Sequence, residues 1–264
     1  MAFRLKCKAK LKNDLGRYDA IVEFTEIAIR DFIKSSEETK SFDQYLKQKS
    51  TEHQIRVDSI DKGIFKTRIA LGYIISVFQS FELFLREFKE EYCELYDVKW
   101  NLPDSKENLL RKIISKVSSL SKAKNVIGES NIELFDYYRK IRNKYVHDYI
   151  DKEKIDKAYK KIKKQEAELK IIYPNLNAPN DFENISFDDF ILFTRAVKEI
   201  ANGLCSLIEP ENEIVLVDYY KRTKLYSKFK DKPERKIGAI KHDLNFRFGI
   251  TENIDSIVKN IMSQ

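Results

Sequence analysis

The segment 138–149 carries the densest set of side chains that could do chemistry. His147 supplies an imidazole, and a neutral imidazole, with an ordinary pKa of about 6.5, can take a proton at cellular pH. Arg142 supplies a guanidinium, whose fixed fork of donors can stabilise charge on a phosphate. Asn143 can orient either the imidazole or the phosphate. These residue types predict proton transfer beside a bound phosphate group.

The spacing of these residues limits how they can meet. Arg142 and His147 are five positions apart, which separates them by about 140° around a helix. Asn143 and His147 are four positions apart and share a face. We therefore expect that one straight helix does not place the arginine and the histidine side by side, although a long arginine side chain could partly bridge the angle.

The same residues resemble the signature of HEPN domains (higher eukaryotes and prokaryotes nucleotide-binding). In that family an arginine, a polar residue that is often asparagine, and a histidine lie near the end of a long helix in an all-α bundle. Arg142, Asn143 and His147 match this pattern. Tyr149 matches the longer Arg-x4-His-x-Tyr form of HEPN toxins that are paired with a minimal nucleotidyltransferase antitoxin. The resemblance implies a HEPN-like four-helix up-and-down bundle.

The resemblance implies a metal-independent endoribonuclease, of the kind found among toxins and anti-phage defence effectors. In this reaction the 2′-hydroxyl of RNA attacks the adjacent phosphate, with His147, Arg142 and Asn143 as catalytic residues. The resemblance also implies a homodimer, in which a two-fold axis brings two motifs into one composite site. An antitoxin or another regulatory protein is a further expected kind of partner. Tyr149 is either the site of nucleotidylation or an aromatic residue packed at a helix end.

Two other functions stay open at this point. The chain could be a catalytically inert HEPN-like module that binds RNA, a nucleotide or a partner protein. It could also be a helical interaction protein in which Arg142 pairs with a carboxylate and His147 is structural. A second arginine–histidine pair, Arg235 and His242, has similar spacing, but we expect it in a linker and assign it no function.

Composition excludes several classes of site. The chain has 264 residues, with only 7 Gly and 5 Pro, which favours long helices and removes the glycine-rich loops that hold phosphates. The three histidines and three cysteines are scattered, so we expect no metal centre built from them and no cofactor. The many carboxylates leave a Mg²⁺ site open. The net charge is +7, and the basic segments 152–170 and 221–241 are either contacts for an RNA backbone or solvated helix faces.

Apolar periodicity predicts the helices that must position the motif. In the N-terminal part it predicts a helix that begins near Asp14 as N-cap, a loop over 34–40 and a short helix over 42–49. The strongest signal predicts one helix over Phe65–Tyr96. After it, Asp104 and Glu107 have the spacing of a capping box.

The second half of the chain predicts further helices. A helix is expected over 109–117, a loop over 118–130, the motif helix from about 131, and one helix over 151–170. Ser186 and Asp189 form a capping-box pattern for a helix that ends near Pro210. Residues 214–217 fit a short strand or a helix equally well. Residues 228–236 are expected to form a linker, and a small helix is expected within 250–262.

These elements predict an all-α protein with three segments. Residues 1–60 form a helical N-terminal extension, residues 61–210 form the HEPN-like bundle, and residues 211–264 form a small basic appendage. The longest apolar stretch, residues 69–78, is shorter than the roughly 20 residues that span a bilayer, and no signal-peptide pattern is present. We therefore expect a cytoplasmic protein that does not associate with membranes.

Overall fold

A computed structural model describes residues 3–39, 41–58, 60–61, 63–100, 108–147, 151–229 and 231–263. Within these ranges the protein has α-helices and short 3₁₀ turns but no strand, so the all-α prediction is confirmed. The described helices are α1 (Lys6–Glu37), α2 (Phe42–Glu52), α3 (Phe65–Tyr96), α4 (Leu109–Val117), α5 (Leu120–Ile127), α6 (Glu129–His147), α7 (Lys152–Lys163), α8 (Glu166–Ile172), α9 (Phe187–Leu207), α10 (Ile214–Thr223), α11 (Pro233–Phe248) and α12 (Ile254–Met262).

The chain divides into two compact units, and each is assembled from separated stretches of sequence. Unit 1 contains residues 1–13, 79–135 and 195–264, and unit 2 contains residues 14–78 and 136–194. The helices α1, α3, α6 and α9 each contribute residues to both units. The boundaries of these units differ from the predicted boundaries at residues 60 and 210, and the three-segment division stays a prediction.

The core of unit 2 is built on Phe190 of α9. The rings of Tyr18, Tyr73 and Phe187 lie 5.6–6.0 Å from the Phe190 ring, mostly at steep angles. Aromatic side chains bury large apolar areas, and such inclined pairs add favourable ring–ring contacts. These contacts join α1, α3 and α9 within the unit.

A buried carboxylate, that of Asp189, organises the polar part of unit 2. Asp189 is fully buried, and its two oxygens accept hydrogen bonds from the hydroxyl of Tyr138, from the backbone and side-chain amides of Asn180, and from the backbone amide and hydroxyl of Ser186. Burial raises the pKa of Asp189, while the bonds from Asn180, Ser186 and Tyr138 oppose that change. The predicted pairing of Ser186 with Asp189 is therefore present, and the same carboxylate also accepts a hydrogen bond from α6.

The core of unit 1 is a row of phenylalanines along the second part of α3. Phe81 stacks on Phe84 with 5.4 Å between ring centroids, and it meets Phe135 of α6 edge-to-face at 5.3 Å. In the C-terminal part, Arg247 donates to the hydroxyl of Tyr219 at 2.7 Å, and Tyr220 donates to the buried Asp243 at 2.7 Å. These bonds connect α10 with α11.

The prediction for α3 is confirmed at both ends. Of the residues that the structure describes, α3 is the one helix with the length and apolarity to cross a membrane, and 44% of its most apolar stretch is buried inside the protein. A buried core helix has the same composition.

Residues 118–130, predicted as a loop, instead contain α5. Ser119 caps this helix by accepting a hydrogen bond from the amide of Lys122, and Ala123 and Ile127 are buried. Gly203 of α9 explains the close packing, since a Cβ atom there would lie 2.6 Å from a side-chain carbon of Ile127. The sequence did not predict α5 because this helix is mostly polar and buries only a narrow edge.

Other boundaries also differ from the sequence-based ones. The first helix begins at Lys6 rather than near Asp14, and it continues to Glu37, so the loop expected from residue 34 begins later. Residues 151–170 form α7 and part of α8 rather than one helix. The ambiguous stretch 214–217 belongs to α10. The proposed capping box of Asp104 and Glu107 lies outside the described residues.

Replacing Asp189 with asparagine is expected to destabilise the protein by about 1–3 kcal/mol, because the new amide group would face donors that now point at a carboxylate oxygen. Urea unfolding followed by circular dichroism measures the change. Asp188→Asn is the matched control, since Asp188 accepts one backbone hydrogen bond, from Asn177, that an amide oxygen can still accept. Equal stability of the two variants would contradict a structural role for the Asp189 network.

Candidate active site

The motif lies on the last turns of α6, and two buried tyrosines hold this helix in unit 2. Tyr137 donates to the backbone carbonyl of Asn180 at 2.5 Å, and Tyr138 donates to Asp189 at 2.9 Å. Both side chains are fully buried, which raises the pKa of each phenol. The Tyr138 ring also packs on Phe193 at 4.8 Å. The C-terminal turns of α6 are thereby anchored beside a rigid aromatic core.

Arg142 contacts both of the other candidate catalytic residues. Its Nη1 atom donates to Oδ1 of Asn143 at 2.9 Å and lies 3.1 Å from Nε2 of His147. A guanidinium can only donate, so Nε2 is the acceptor in this contact and the imidazole proton is on Nδ1. The expectation that one helix cannot bring Arg142 and His147 together is wrong, because the long arginine side chain spans the angle between them.

An aromatic ring of α3 lies against the guanidinium of Arg142. The guanidinium carbon of Arg142 lies 5.2 Å from the centroid of Phe78 on α3. A second contact of this kind joins the same two helices, since the guanidinium of Arg68 on α3 lies 5.6 Å from the ring of Tyr145. Such cation–π contacts restrict where the charge can move. Phe78 and Arg68 were not identified from the sequence, and the only signal for Phe78 is its place at the end of the apolar stretch 69–78.

The site is accessible and has donors to offer a ligand. His147 is exposed, whereas Arg142 and Asn143 are half-buried. The structure shows no carboxylate within ion-pair distance of Arg142 among the residues it describes, so the expected alternative of an Arg142–carboxylate pair is not observed there. Within the same ranges its Nη2 group makes no hydrogen bond, and its buried Nε has no partner. The arrangement can therefore receive an anion beside an imidazole.

Tyr149 lies outside the described residues, and its two predicted roles stay predictions. Tyr137 and Tyr138 are buried and anchor the helix. Arg235 and His242 lie on α11 rather than in a linker, seven positions apart and thus about two helical turns from each other.

The two basic segments differ in how their lysines are compensated. In segment 152–170, several lysines have a carboxylate within 4 Å, as expected for a solvated, ion-paired helix face. The paired lysines are Lys152, Lys154, Lys157, Lys163 and Lys170.

In segment 221–241 of unit 1, the described residues that line a cleft of about 390 Å³ include no acidic residue. Its lining includes three lysines, at 221, 224 and 236, together with Tyr226 and Ser227. Lys224 has a positive φ of 49°, which is uncommon for a side chain other than glycine or asparagine. Three lysines of this segment therefore line one concave surface.

Of the residues that the structure describes, no group of three or more His, Cys, Asp and Glu is arranged to hold a metal ion. Comparisons with models of protein families, with curated proteins and with solved structures found no match for this chain. The assignment of a function therefore depends on the chemistry of the site itself.

The contact between Arg142 and His147 predicts the tautomer of the imidazole. In the ligand-free protein with a neutral imidazole, the proton of His147 should be on Nδ1, because Nε2 accepts from the guanidinium. Nitrogen-15 NMR of the three histidine rings measures this directly. Arg142→Lys, which lacks the fork of donors, should lower the population of that tautomer while His53 and His242 stay unchanged. A proton on Nε2 of His147 in the wild type would contradict the geometry.

Proposed function

We propose that the protein is a metal-independent endoribonuclease of HEPN type, in which His147 is the general base and Arg142 stabilises the charge on the reacting phosphate. The observation that carries the proposal is the contact of 3.1 Å between Arg142 and an exposed His147, with no carboxylate beside the arginine among the described residues. A structural arginine would be expected to pair with a carboxylate.

The ligand-free geometry suggests the order of events. Nε2 of His147 is occupied by the guanidinium, so it cannot take a proton until that contact opens. A phosphate of RNA carries a full negative charge and binds a guanidinium more strongly than a neutral imidazole does. Binding of the phosphate therefore draws Arg142 away from Nε2, and the base becomes available only when substrate is present.

The chemical step then follows from the residue types. Nε2 of His147 takes the proton of a 2′-hydroxyl, and the resulting oxygen attacks the adjacent phosphorus. Arg142 stabilises the charge that develops on the phosphorane. The bond from phosphorus to the 5′ oxygen breaks, and the leaving oxygen takes a proton from water. The proton that His147 took up is then released and neutralises the hydroxide left by that water, which regenerates the base. The products are a 5′ fragment with a 2′,3′-cyclic phosphate and a 3′ fragment with a 5′-hydroxyl.

The HEPN resemblance adds the wider setting to this proposal. It supports a HEPN-like four-helix bundle, a homodimer, a cytoplasmic role as toxin or anti-phage defence effector, and control by an antitoxin or another regulatory protein, with Tyr149 as the residue to be modified. In the structure, one chain alone brings Arg142 and His147 together. A second copy is therefore not needed for that contact, although it can add a second pair to a composite site.

Cleavage of RNA in EDTA is the experiment that tests the proposal. Wild-type protein should cut single-stranded RNA and leave 2′,3′-cyclic phosphate ends, and His147→Ala should lower the rate by roughly 10²–10⁴-fold because the base is removed. Arg142→Lys should lower it by about 10²-fold or more, since a point charge does not reproduce the guanidinium fork. A single 2′-deoxy substitution at the cleaved position should block the cut.

The matched control is His242→Ala, which removes an exposed histidine from α11. This variant should keep wild-type activity. Equal loss in both histidine variants, or cleavage that survives His147→Ala, would refute the role of His147. If the wild type binds RNA without cutting it, the inert HEPN-like module replaces the nuclease as the better description.

The basic cleft around Lys221 and Lys236 is proposed to bind RNA phosphates. Replacing both lysines with glutamine should weaken binding of single-stranded RNA about tenfold and reduce the slope of log affinity against log salt by roughly 1.4, or 0.7 for each lost phosphate contact. Fluorescence anisotropy at several salt concentrations measures both quantities. Lys157→Gln with Lys170→Gln is the control, because it removes the same charge from lysines already paired with Glu153 and Glu166. An equal effect in both double variants would show that only net charge matters.

A further inference from the structure

The helix α1 has an apolar face that is exposed, in addition to the one that is buried. Ile21, Phe24 and Ile27 are 63%, 73% and 60% exposed. Ala20 and Ala28 are exposed beside them. Large apolar side chains grouped on one exposed surface are typical of an interaction site. All five residues belong to unit 2.

This exposed face is distinct from the face that α1 presents to the core. At 100° per residue, Leu15 and Val22 lie about 160–180° around the helix from Phe24, and both are buried. The ordinary packing of α1 is therefore already satisfied on its other side. The exposed apolar residues are an additional feature of the sequence, not the edge of the buried stripe.

The residues of the exposed face are arranged symmetrically about Phe24. An arc of about 120° between positions 17 and 31 contains only seven residues. Moving outward from Phe24 in either direction, the residue types are isoleucine, alanine and then a charged residue. The charged residue is basic on the N-terminal side and acidic on the C-terminal side. The seven residues are Arg17, Ala20, Ile21, Phe24, Ile27, Ala28 and Asp31.

Symmetry of this kind fits a second copy of the same helix in antiparallel orientation. In an antiparallel pair with a two-fold axis at Phe24, a residue that lies a given number of positions before Phe24 faces the residue that lies equally far after Phe24 in the other copy. Each Ile21 therefore meets Ile27 of the other copy. By the same arithmetic Ala20 meets Ala28, which allows the two backbones to approach closely, and Arg17 meets Asp31 at both ends. A two-fold interface needs a surface that is complementary to itself, and this face meets that condition.

The charges select this arrangement over its alternatives. In a parallel pair, Arg17 would face Arg17 and Asp31 would face Asp31. In an antiparallel pair shifted by about one turn toward the N-terminus, Asp31 would lie opposite Asp14. Among the described residues, neither Arg17 nor Asp31 has an ion-pair partner within the chain, so both are available to pair between copies.

We propose that the face of α1 centred on Phe24 is a homodimer interface, formed by antiparallel packing of two α1 helices with reciprocal Arg17–Asp31 ion pairs. The face is about 21 Å long. One helix pair of this length buries less than the roughly 800 Å² per partner of a standard interface, so the dimer depends on protein concentration. The proposal does not rest on the nuclease function, because none of its residues belongs to the motif on α6.

Reversing one charge of the proposed ion pair in each of two single variants, and then mixing the two, tests the interface. Arg17→Glu alone places two acidic pairs across the axis, and Asp31→Arg alone places two basic pairs there. Each should raise the dimer dissociation constant by about tenfold or more. A mixture of the two variants should form a heterodimer close to wild-type affinity, since each end then pairs opposite charges. Sedimentation velocity over roughly 1–100 µM measures these constants.

Two further variants complete the test. Phe24→Glu should abolish the dimer, and Glu23→Gln, on an exposed position outside the arc, should leave it unchanged. The helical circular dichroism signal confirms that every variant is folded. A monomeric wild type over the whole range, a dimer that persists in Phe24→Glu, or failure of the mixture to associate would overturn the proposal. A dimer without RNA cleavage would keep this interface and reject the nuclease, and the reverse result would do the opposite.

Discussion

The hydrogen bond from Tyr138 to Asp189 is the interaction on which the arrangement of unit 2 depends. Asp189 is fully buried, and a buried carboxylate is tolerated only when donors surround it. Its five donors come from α6, from the segment before α9 and from the first residue of the capping pattern. This one group therefore connects elements that are separated in sequence by more than 40 residues.

Anchoring at Tyr138 has a direct consequence for the motif. From Tyr138 to Arg142 is one helical turn, so a helix that is fixed at the tyrosine presents the arginine in a fixed direction. The ring of Phe78 then supports the guanidinium from α3. The flexible side chain of Arg142 is thereby held in one conformation, in which its Nη1 atom contacts both Asn143 and His147. Electrostatic catalysis needs this kind of preorganisation.

The two proposals use different surfaces of the chain and different physical principles. The proposed nuclease site depends on competition between a phosphate and an imidazole for one guanidinium. The proposed interface on α1 depends on apolar residues that no other part of the described chain covers, and on charges placed at equal distances from Phe24. A dimer of this kind would give the chain two motif helices in one assembly, which is what the HEPN resemblance implies.

The sequence by itself was sufficient for the all-α class, for both ends of α3 and for the motif, because long apolar periodicity and residue type are local properties. It was insufficient for α5, whose narrow buried edge becomes visible only where Gly203 lets α9 approach. The three-segment division and the roles of Tyr149 remain predictions. Only the tertiary structure decided that Arg142 reaches His147 within one chain, because the path of a flexible side chain depends on neighbours such as Phe78, which lies far away in the sequence.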